Sequence, residues 1–328
     1  VGEAIAAFFR EEGIAGEHLP QEVSGDIRRF RVPGPGNAPI VLMGHMDTVF
    51  PAGEAARRPF TVRDGKAYGP GVCDMKAGLV MNAFVLAAFH RFGGAPAPLV
   101  GLYTSDEEIG SPASRSTIES TASGARAVFN AEPGRISGNV VTGRKGGVFL
   151  IMDVKGKAAH SGANFQDGRS AIGALAAKIT ALHALTNLDR GLTCNVGLVS
   201  GGQSVNTVAP EARAEIDLRY VKAADRVELL AACEAIAARE DVEGTSASLS
   251  IKGDFLPLEQ TPGNMALFDV YAAAAQGAGL AISGEYTGGC ADSGFTSAVG
   301  APTLCATGPL GARAHTPEEY MVVDSMMP

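Results

Sequence analysis

The sequence lacks the features that mark several classes of protein. Its five cysteines contain no Cys-x-x-Cys pair, so neither a disulfide framework nor a thiolate zinc site is indicated. Basic side chains number 27 against 35 acidic ones, which gives a net charge of −8. This balance argues against a nucleic-acid or membrane-surface binder, because both need basic patches. Apolar runs are broken by glycine, proline or charge before about 18 residues, so we expect no membrane span.

Several catalytic motifs are absent as well. The turn Gly69-Pro-Gly71 continues as Val-Cys-Asp, so it is not the dinucleotide-binding fingerprint, and no phosphate-binding Gly-Lys-Ser/Thr loop occurs. The nucleophile elbow Gly-x-Ser-x-Gly and the zinc motif His-Glu-x-x-His are also missing. The site has to be sought in residues that are spread along the chain.

The length and the ends of the chain set two further expectations. At roughly 100–200 residues per domain, 328 residues indicate two domains. The first residue is Val1, and Pro328 follows Asp324-Ser325, which is typical of a helix start, so we expect both ends to be trimmed. We expect a cytoplasmic protein; a periplasmic one is the alternative, because a trimmed chain would have lost its leader.

Three short apolar segments are predicted to be buried parallel strands that end in reactive side chains. They cover residues 40–43, 99–103 and 127–129. The first is followed by His45 and Asp47, the second by Glu107 and Glu108, and the third by Glu132. Ligands of open α/β sheets bind outside the carboxyl ends of the strands, so we expect a site there. A helix over residues 75–91 is predicted between the first two strands.

The pattern changes near residue 146. Strands are predicted over residues 148–154, 193–199, 212–220 and 247–252, with helices over 170–185 and 224–239. This β-α-β-β-α-β order is the ferredoxin-like unit. A helix over 265–278 and a strand over 302–305 then resume the first pattern. We therefore predict a doubly wound α/β domain formed by residues 1–145 and 255–328, with a ferredoxin-like lid domain, residues 146–254, inserted into it.

The candidate residues have the chemistry of a metal site. Two imidazoles and several carboxylates suit zinc and similar borderline ions, whereas an all-oxygen set would suit calcium or magnesium. A pair of ions needs a bridging carboxylate. Asp74 lies between a glycine-rich turn and a helix start, an exposed and rigid place for such a bridge. On an extended segment Glu107 and Glu108 would point apart, so one could bind metal while the other acts as general base. Asp47 could fix the tautomer of His45.

The same residues also have structural interpretations. The segments Ser105-x-x-Glu108 and Thr316-Pro-Glu-Glu319 both resemble helix capping boxes. An adjacent pair of glutamates is typical of a solvated surface in an acidic protein. The five cysteines are interpreted as small core residues, although Cys73 and Cys290 would lie beside the site.

Taken together, the motifs resemble the co-catalytic zinc peptidase family that includes glutamate carboxypeptidase (carboxypeptidase G type), acetylornithine deacetylase, succinyl-diaminopimelate desuccinylase and aminoacylase. The stretches that carry the resemblance are Met43-Gly-His45-Met-Asp47-Thr-Val49, Tyr68-Gly-Pro-Gly-Val-Cys-Asp74-Met-Lys76, Thr104-Ser-Asp-Glu107-Glu108-Ile-Gly110, Asn130-Ala-Glu132-Pro133, Gly156-Lys-Ala-Ala-His160-Ser-Gly162 and Ala314-His315-Thr-Pro317. They span nearly the whole chain in the family's order.

The resemblance implies a role for each residue of the site. His45 and Glu132 would hold one zinc, Glu108 and His315 the other, and Asp74 would bridge them. Asp47 would orient His45, and Glu107 would be the general base acting on a metal-bridging water. Two Zn²⁺ ions per chain are expected, with Co²⁺ or Mn²⁺ as substitutes.

Three positions of the predicted lid domain and one glycine of the first domain also match the family. His160 matches a histidine that helps to polarise the scissile carbonyl from the partner subunit, so a homodimer through the lid is implied. Asn206 and Arg219 match substrate-contacting positions, and an arginine fork suits a carboxylate. Gly289 lies in a glycine-rich stretch that resembles the one lining the substrate side of the site. Without the resemblance, Arg219 is equally typical of an exposed strand arginine.

The pattern over residues 50–68 and 284–289 is most similar to the glutamate carboxypeptidase branch. The leading hypothesis is therefore a two-zinc hydrolase that cleaves an amide next to a C-terminal amino acid such as glutamate. The alternative is a deacylase of N-acyl amino acids with the same chemistry. A metal-binding scaffold without turnover belongs to a different class and stays open. The expected partner is a small peptide or N-acyl amino acid, with no nucleic acid and no membrane.

Overall fold

The computed structural model describes residues 1–326, and the chain divides into two compact units. Unit 1 comprises Val1–Arg144, Leu258–Thr287 and the chain from Ala291 on. Unit 2 comprises Lys145–Pro257 together with Gly288–Cys290. The division predicted from the sequence placed residue 145 and residues 255–257 with the first domain, and it did not separate residues 288–290 from it.

The helices and strands are numbered in chain order. The helices are α1 (Gly2–Glu11), α2 (Glu54–Arg57), α3 (Ala77–Arg91), α4 (Arg115–Ala122), α5 (Ala171–His183), α6 (Ala223–Ala238), α7 (Pro262–Gly277) and α8 (Ser293–Ala298). The strands are β1 (Gly16–Leu19), β2 (Ile27–Val32), β3 (Ile40–His45), β4 (Thr61–Arg63), β5 (Lys66–Tyr68), β6 (Leu99–Thr104), β7 (Ala127–Asn130), β8 (Val140–Arg144), β9 (Gly146–Lys155), β10 (Thr193–Gly201), β11 (Glu211–Tyr220), β12 (Ser246–Phe255), β13 (Gly284–Thr287), β14 (Thr303–Cys305), β15 (Gly311–Ala312) and β16 (Tyr320–Val322).

Unit 1 is built on a mixed sheet with the strand order β1-β2-β6-β3-β7-β14-β8-β13. Its central strands β6, β3, β7 and β14 run parallel to one another. Every residue of β6, and all of β3 after Ile40, is buried, as expected of parallel strands covered on both faces. The predicted α/β class is confirmed, and the three predicted strands align their carboxyl ends at one edge.

Helix α3 packs against β3 and β6 and forms part of the core of unit 1. Counted from Val72, the helical segment to Arg91 has the length and hydropathy of a membrane span, contrary to the expectation from its composition. However, Asp74 and Met75 have non-helical dihedral angles, so the regular helix is 15 residues long. A span needs about 20 residues. More than half of the apolar window, 56%, is buried, as in the core helix of a globular unit.

A second, smaller sheet of unit 1 has the order β15-β16-β5-β4 and is antiparallel throughout. Its strand β5 leads into the segment Gly69–Lys76 that carries Asp74, and β15 is followed by His315. The small sheet thus connects two of the segments that bear candidate ligands.

Unit 2 contains β9, α5, β10, β11, α6 and β12 in that order along the chain, as predicted. The strands form one antiparallel sheet with the order β10-β11-β9-β12, which is the ferredoxin-like arrangement. On β11, Ala212, Ala214, Ile216 and Leu218 are buried, as the strict alternation of the sequence predicts. They pack with side chains of α5 and α6 in a single core.

Candidate active site

Seven predicted side chains of unit 1 meet at the carboxyl edge of the large sheet. His45 ends β3, and Asp47 lies two residues further on. Glu107 and Glu108 lie in a short 3₁₀ helix just after β6, and Glu132 follows β7. The other two, Asp74 and His315, come from the loops beside the small sheet. Five of the seven form two groups of potential metal ligands, His45–Asp74–Glu132 and Asp74–Glu108–His315, each with its ligand atoms within 4.8 Å of one another.

Asp74 lies between the two imidazoles. Its Oδ1 is 3.2 Å from Nε2 of His45, and its Oδ2 is 3.2 Å from Nε2 of His315. The second imidazole is also 3.3 Å from Oε2 of Glu108. The first is 3.8 Å from Oε1 of Glu132. Each oxygen of Asp74 therefore faces a different histidine, which is the arrangement that a carboxylate bridging two ions requires.

The donor set fits divalent cations. Oε1 of Glu108 and Oε1 of Glu132 are buried without a hydrogen-bond partner. A buried carboxylate oxygen without a partner is costly, and a coordinated cation would satisfy it. Nitrogen from two imidazoles with oxygen from three carboxylates is the mixed donor set that zinc and similar ions accept. The side chain of Asp74 is only 15% exposed, less than the sequence suggested.

The carboxylates around the two imidazoles raise the pKa of both rings. Burial would lower the pKa of His45, but the carboxylates of Asp47 and Asp74 outweigh it and the pKa is raised well above its usual range. Hydrogen bonds to Asp74 and Glu108 raise the pKa of His315 to about 10. Burial, together with the charge of Asp74, raises the pKa of Glu132 to about 7. The carboxylates of the site thus favour a positive charge between them, on a protonated imidazole or on a bound cation.

Asp47 connects the ends of two neighbouring strands. Nδ1 of His45 is 3.2 Å from the backbone oxygen of Asp47 and 3.4 Å from its Oδ1, so the backbone carbonyl is the nearer partner. The same carboxylate accepts the backbone N–H groups of Glu107, at 3.3 Å, and Glu108, at 3.0 Å. Asp47 therefore positions the histidine and both glutamates, a wider structural role than the sequence suggested.

Glu107 and Glu108 point apart, but not because the segment is extended. In the observed 3₁₀ helix successive side chains are about 120° apart. Glu108 faces His315, whereas Glu107 is buried on the other side. Burial, together with the charges of Glu132, Asp292 and Glu108, raises the pKa of Glu107 well above its usual range. A carboxylate with a raised pKa near a crowded site has the property of a general base.

Neither capping box suggested by the sequence is formed. The hydroxyl of Ser105 donates to the carbonyl of Gly25, and the N–H groups of the following short helix are held by Asp47. No helix begins at Thr316 in the described chain.

Of the cysteines, Cys290 is partly exposed, whereas the other four are buried as predicted.

Glu319 holds the loop that presents Asp74, a role the sequence did not reveal. Its side chain is fully buried and accepts the backbone N–H groups of Gly71, Cys73 and Asp74 at 2.8–2.9 Å. Three charge-assisted hydrogen bonds to one carboxylate fix the backbone on both sides of Cys73. The only signal in the sequence was the closeness of Glu319 to His315.

Two further buried charges surround the site. Asp292 accepts a hydrogen bond from the hydroxyl of Ser111, and burial raises its pKa to about 7. Arg144 is buried, and its Nε lies 3.1 Å from Sγ of Cys305. Its charge lowers the pKa of Glu132, so it partly compensates the acidic cluster. Asp292 follows the glycine-rich stretch that the sequence singled out, and that is the one signal that could have indicated it.

The remaining predicted site residues, His160, Asn206, Arg219 and Gly289, belong to unit 2. The backbone N–H of Ser161 donates to the carbonyl of Asn206 at 3.0 Å, so the His160 and Asn206 loops are adjacent. Nδ1 of His160 accepts the N–H groups of Gly162 and Ala163 at 3.1 Å.

Arg219 has partners in unit 2. Its Nε and Nη2 donate to Asp217 at 2.7 and 3.1 Å, and its Nη1 lies 3.0 Å from Sγ of Cys290. The guanidinium also lies over the ring of Phe149. Gly289 is exposed next to Cys290.

Comparison with known proteins now decides the family. The family model described as peptidase family M20/M25/M40 matches residues 41–328, most of the chain. The chain belongs to this family. It is a member of a group of metal-dependent hydrolases of peptide and related amide bonds, which confirms the resemblance found in the motifs.

Individual relatives agree with this assignment. The chain is similar to carboxypeptidase G2 of Pseudomonas sp. (strain RS-16), with 26% identity over 93% of this chain and 74% of the relative. It is 32% identical to acetylornithine deacetylase of Myxococcus xanthus over 57% of this chain and 51% of the relative. Its fold is similar to that of the M20 family metallo-carboxypeptidase Sso-CP2 from Sulfolobus solfataricus, with a TM-score of 0.79 at 17% identity, covering 99% of this chain and 90% of that one.

Proposed function

We propose that the protein is a two-zinc hydrolase that cleaves an amide bond next to a C-terminal amino acid such as glutamate. The observation that carries the proposal is the position of Asp74, with one oxygen toward each imidazole and with unpartnered oxygens of Glu108 and Glu132 beside it. His45 and Glu132 would hold one ion, and Glu108 and His315 the other. Two bound divalent ions supply Lewis acidity at the scissile carbonyl and make a water molecule acidic enough to attack it at neutral pH.

Glu107 is the proposed general base. It accepts a proton from the attacking water and later returns it to the leaving amine. Its burial and the neighbouring carboxylates raise its pKa, which makes it a stronger base than an exposed carboxylate. Its backbone N–H is fixed by Asp47, so its position is set by the same residue that orients His45.

His160 is proposed to stabilise the negative charge that develops on the carbonyl oxygen. Because its Nδ1 accepts two backbone N–H groups, the ring proton of the neutral form is on Nε2. That N–H is therefore directed away from its own loop and can donate to an oxyanion.

The substrate carboxylate is proposed to be bound by Asn206 and Arg219, beside Gly289. Asp217 occupies the Nε and Nη2 positions of Arg219 and holds the fork in one orientation. The preference for a C-terminal glutamate is supported by the similarity to carboxypeptidase G2.

A deacylase of N-acyl amino acids is the second candidate. It is supported by the similarity to acetylornithine deacetylase, which covers 57% of this chain. The metal ligands and the general base would be the same in both enzymes. Only the released product differs, glutamate in one case and the acyl acid, such as acetate, in the other.

A homodimer formed through unit 2 is part of the proposal. Strand β10 lies at the edge of its sheet and, in the described residues, pairs only with β11. Leu198 and Val199 on this strand are 64% and 59% exposed. An exposed apolar edge strand favours pairing with a second chain. Light scattering of the wild type and of Val199→Lys tests this, with a dimer expected only for the wild type; a monomeric wild type would contradict it.

The catalytic proposal is tested with a panel of N-acyl amino acids and dipeptides, assayed with zinc and with a chelator. We expect zinc-dependent release of glutamate from acyl-glutamate substrates, and release of acetate from N-acetylornithine would favour the deacylase.

Glu107→Gln should lower kcat by about 10²- to 10⁴-fold with both metals still bound. The control Glu22→Gln changes an exposed glutamate and should leave kcat unchanged. Normal turnover by Glu107→Gln with metals bound would refute the assignment of the base; absence of hydrolysis with zinc supplied would favour a non-catalytic scaffold.

A further inference from the structure

The small sheet of unit 1 has two chemically different faces. Ala67 and Met321 are paired across β5 and β16 and pack into an apolar cluster with Val72 and Ala77. Because neighbouring side chains of a strand point to opposite faces, the residues on either side of Ala67 and Met321 lie on the other face. That face carries Lys66, Tyr68 and Tyr320 with a single valine, Val322, and Arg63 lies opposite Lys66 on it.

The polar face lines a cleft of about 560 Å³, within the range of small-molecule sites. Four of its lining side chains are cations, Arg58, Arg63, Lys66 and Arg313, whereas Glu318 is the only lining carboxylate in the described chain. We call this feature the cationic cleft. It is unexpected on a chain whose net charge is −8.

Two of the cations are held in place without being neutralised. Arg63 and Lys66 are direct cross-strand partners, a pairing of like charges that destabilises a sheet. The guanidinium of Arg63 lies 4.4 Å from the ring centroid of Tyr68, and Nζ of Lys66 lies 4.3 Å from that of Tyr320. An aromatic face attracts a cation but has no net charge. Both positive charges therefore remain available to an anion.

The other two cations differ from each other. Arg58 is paired with Glu54 and donates to the carbonyl of Pro317 at 2.7 Å. It therefore stabilises the part of the cleft that Pro317 lines. Arg313 has no carboxylate within ion-pair distance among residues 1–326, and the same holds for Arg63 and Lys66. Three unpaired cations on one concave surface provide more positive charge than the single carboxylate of Glu318 can balance.

The cationic cleft adjoins both loops of the small sheet that carry proposed metal ligands. Gly69 lines the cleft and begins the segment that leads to Asp74. Arg313 lines it from the other side and lies two residues before His315. A molecule bound at the metal centre would therefore have this cleft beside it.

We propose that the cationic cleft binds an acidic side chain of the substrate, a second carboxylate distinct from the one at the C-terminus. This inference rests on the proposed function. Arginine forks match the planar carboxylate, and a fixed pair of cations selects a carboxylate over the isosteric amide. The enzyme would then prefer peptides with an acidic residue on the acyl side of the cleaved bond.

The kinetic test compares two substrates that differ in one group, N-benzoyl-Glu-Glu and N-benzoyl-Gln-Glu, with the zinc-loaded enzyme. The wild type is expected to favour the first about 10-fold in kcat/KM, mainly through KM. In the double variant Arg63→Ala/Lys66→Ala this ratio should fall to about one. The matched control Arg126→Ala removes an exposed cation just before β7, at the opposite end of the parallel strands, and should keep the wild-type ratio.

The binding test uses tri-D-glutamate as a hydrolysis-resistant probe and tri-D-glutamine as its uncharged counterpart, by calorimetry. Binding of the acidic probe should be lost in the double variant and kept in Arg126→Ala. Equal hydrolysis of both peptides by the wild type, or unchanged probe binding by the double variant, would overturn the inference while leaving the proposed function intact. If the wild type hydrolyses neither peptide, the proposed function fails, and the substrate role of the cleft fails with it even where the probe binds.

Discussion

Replacement of Glu319 by glutamine tests whether this buried carboxylate holds the loop of Asp74. One oxygen accepts the N–H groups of Cys73 and Asp74, and the other accepts that of Gly71. Glutamine keeps one acceptor but places an NH₂ group against a second donor. A hydrogen bond to a charged group contributes about 1.5–3 kcal/mol, and an orphaned buried donor costs about 1–3 kcal/mol. We therefore expect Glu319→Gln to lower the free energy of unfolding of unit 1 by about 2–4 kcal/mol.

The loop position should also affect the metal centre. Loss of a group that orients a ligand typically weakens metal binding by about 10- to 100-fold. Denaturant unfolding of the metal-free protein measures the first effect, and zinc titration against a competing chelator measures the second. Glu318→Gln is the matched control, because Glu318 is the exposed neighbour, and its effect should stay within about 0.5 kcal/mol. If Glu319→Gln behaves like Glu318→Gln in both measurements, the reasoning is refuted.

Three further predictions concern other parts of the molecule. Zinc affinity should rise with pH up to about 10, because the raised pKa values of His45 and His315 keep both imidazoles protonated until metal displaces the protons. Calorimetry in two buffers should show this proton release. Lys178→Met should destabilise unit 2 by about 3–5 kcal/mol in denaturant unfolding, because the buried ammonium donates to three carbonyls at the end of α6 and pairs with a carboxylate. Gly78→Ala should destabilise unit 1 by about 1–3 kcal/mol and weaken zinc binding, because the new Cβ would lie 2.0 Å from the carbonyl oxygen of Ala131.

Each of these predictions has a control variant or a result that would contradict it. Zinc affinity that is independent of pH between 6 and 9 would contradict the protonation argument. Lys155→Met changes an exposed lysine of the same unit and should have little effect on unfolding. Gly277→Ala adds a methyl group to helix α7 where no atom lies within 4 Å, so it should be neutral or slightly stabilising. A Gly78→Ala variant that is as stable as Gly277→Ala would show that the contact is relieved without cost.

The part of the site that could be predicted from the sequence is the part built by strand ends. Short apolar segments predict buried strands, and a parallel sheet brings their carboxyl ends to one edge, so His45, Glu108 and Glu132 could be grouped before any coordinates were known. The order of elements in unit 2 followed from alternation and helical periodicity in the same way. In both cases the information lies within about ten residues.

What could not be predicted depends on contacts between distant segments. The sequence around Glu319 has the local pattern of a helix start, but its partners lie about 245 residues away in the chain. The helix predicted from residue 75 begins at Ala77, because the backbone at Asp74 and Met75 is held out of helical conformation beside the Glu319 contacts. Arg63 and Arg313 of the cationic cleft are likewise far apart in the chain. They lie on one surface only because β5 pairs with β16.

The acidic charge of the chain is unevenly distributed, and this connects metal binding with stability. Asp74, Glu107, Glu108 and Glu132 are crowded at one sheet edge, with Arg144 as a buried cation beside them. Burying like charges together opposes folding unless protons or cations compensate them. A ligand that binds only the folded state stabilises it by RT ln(1 + [L]/Kd), about 2.7 kcal/mol at a hundredfold excess over Kd. The metal ions should therefore be part of what keeps unit 1 folded, and a chelator should lower its unfolding temperature even when no substrate is present.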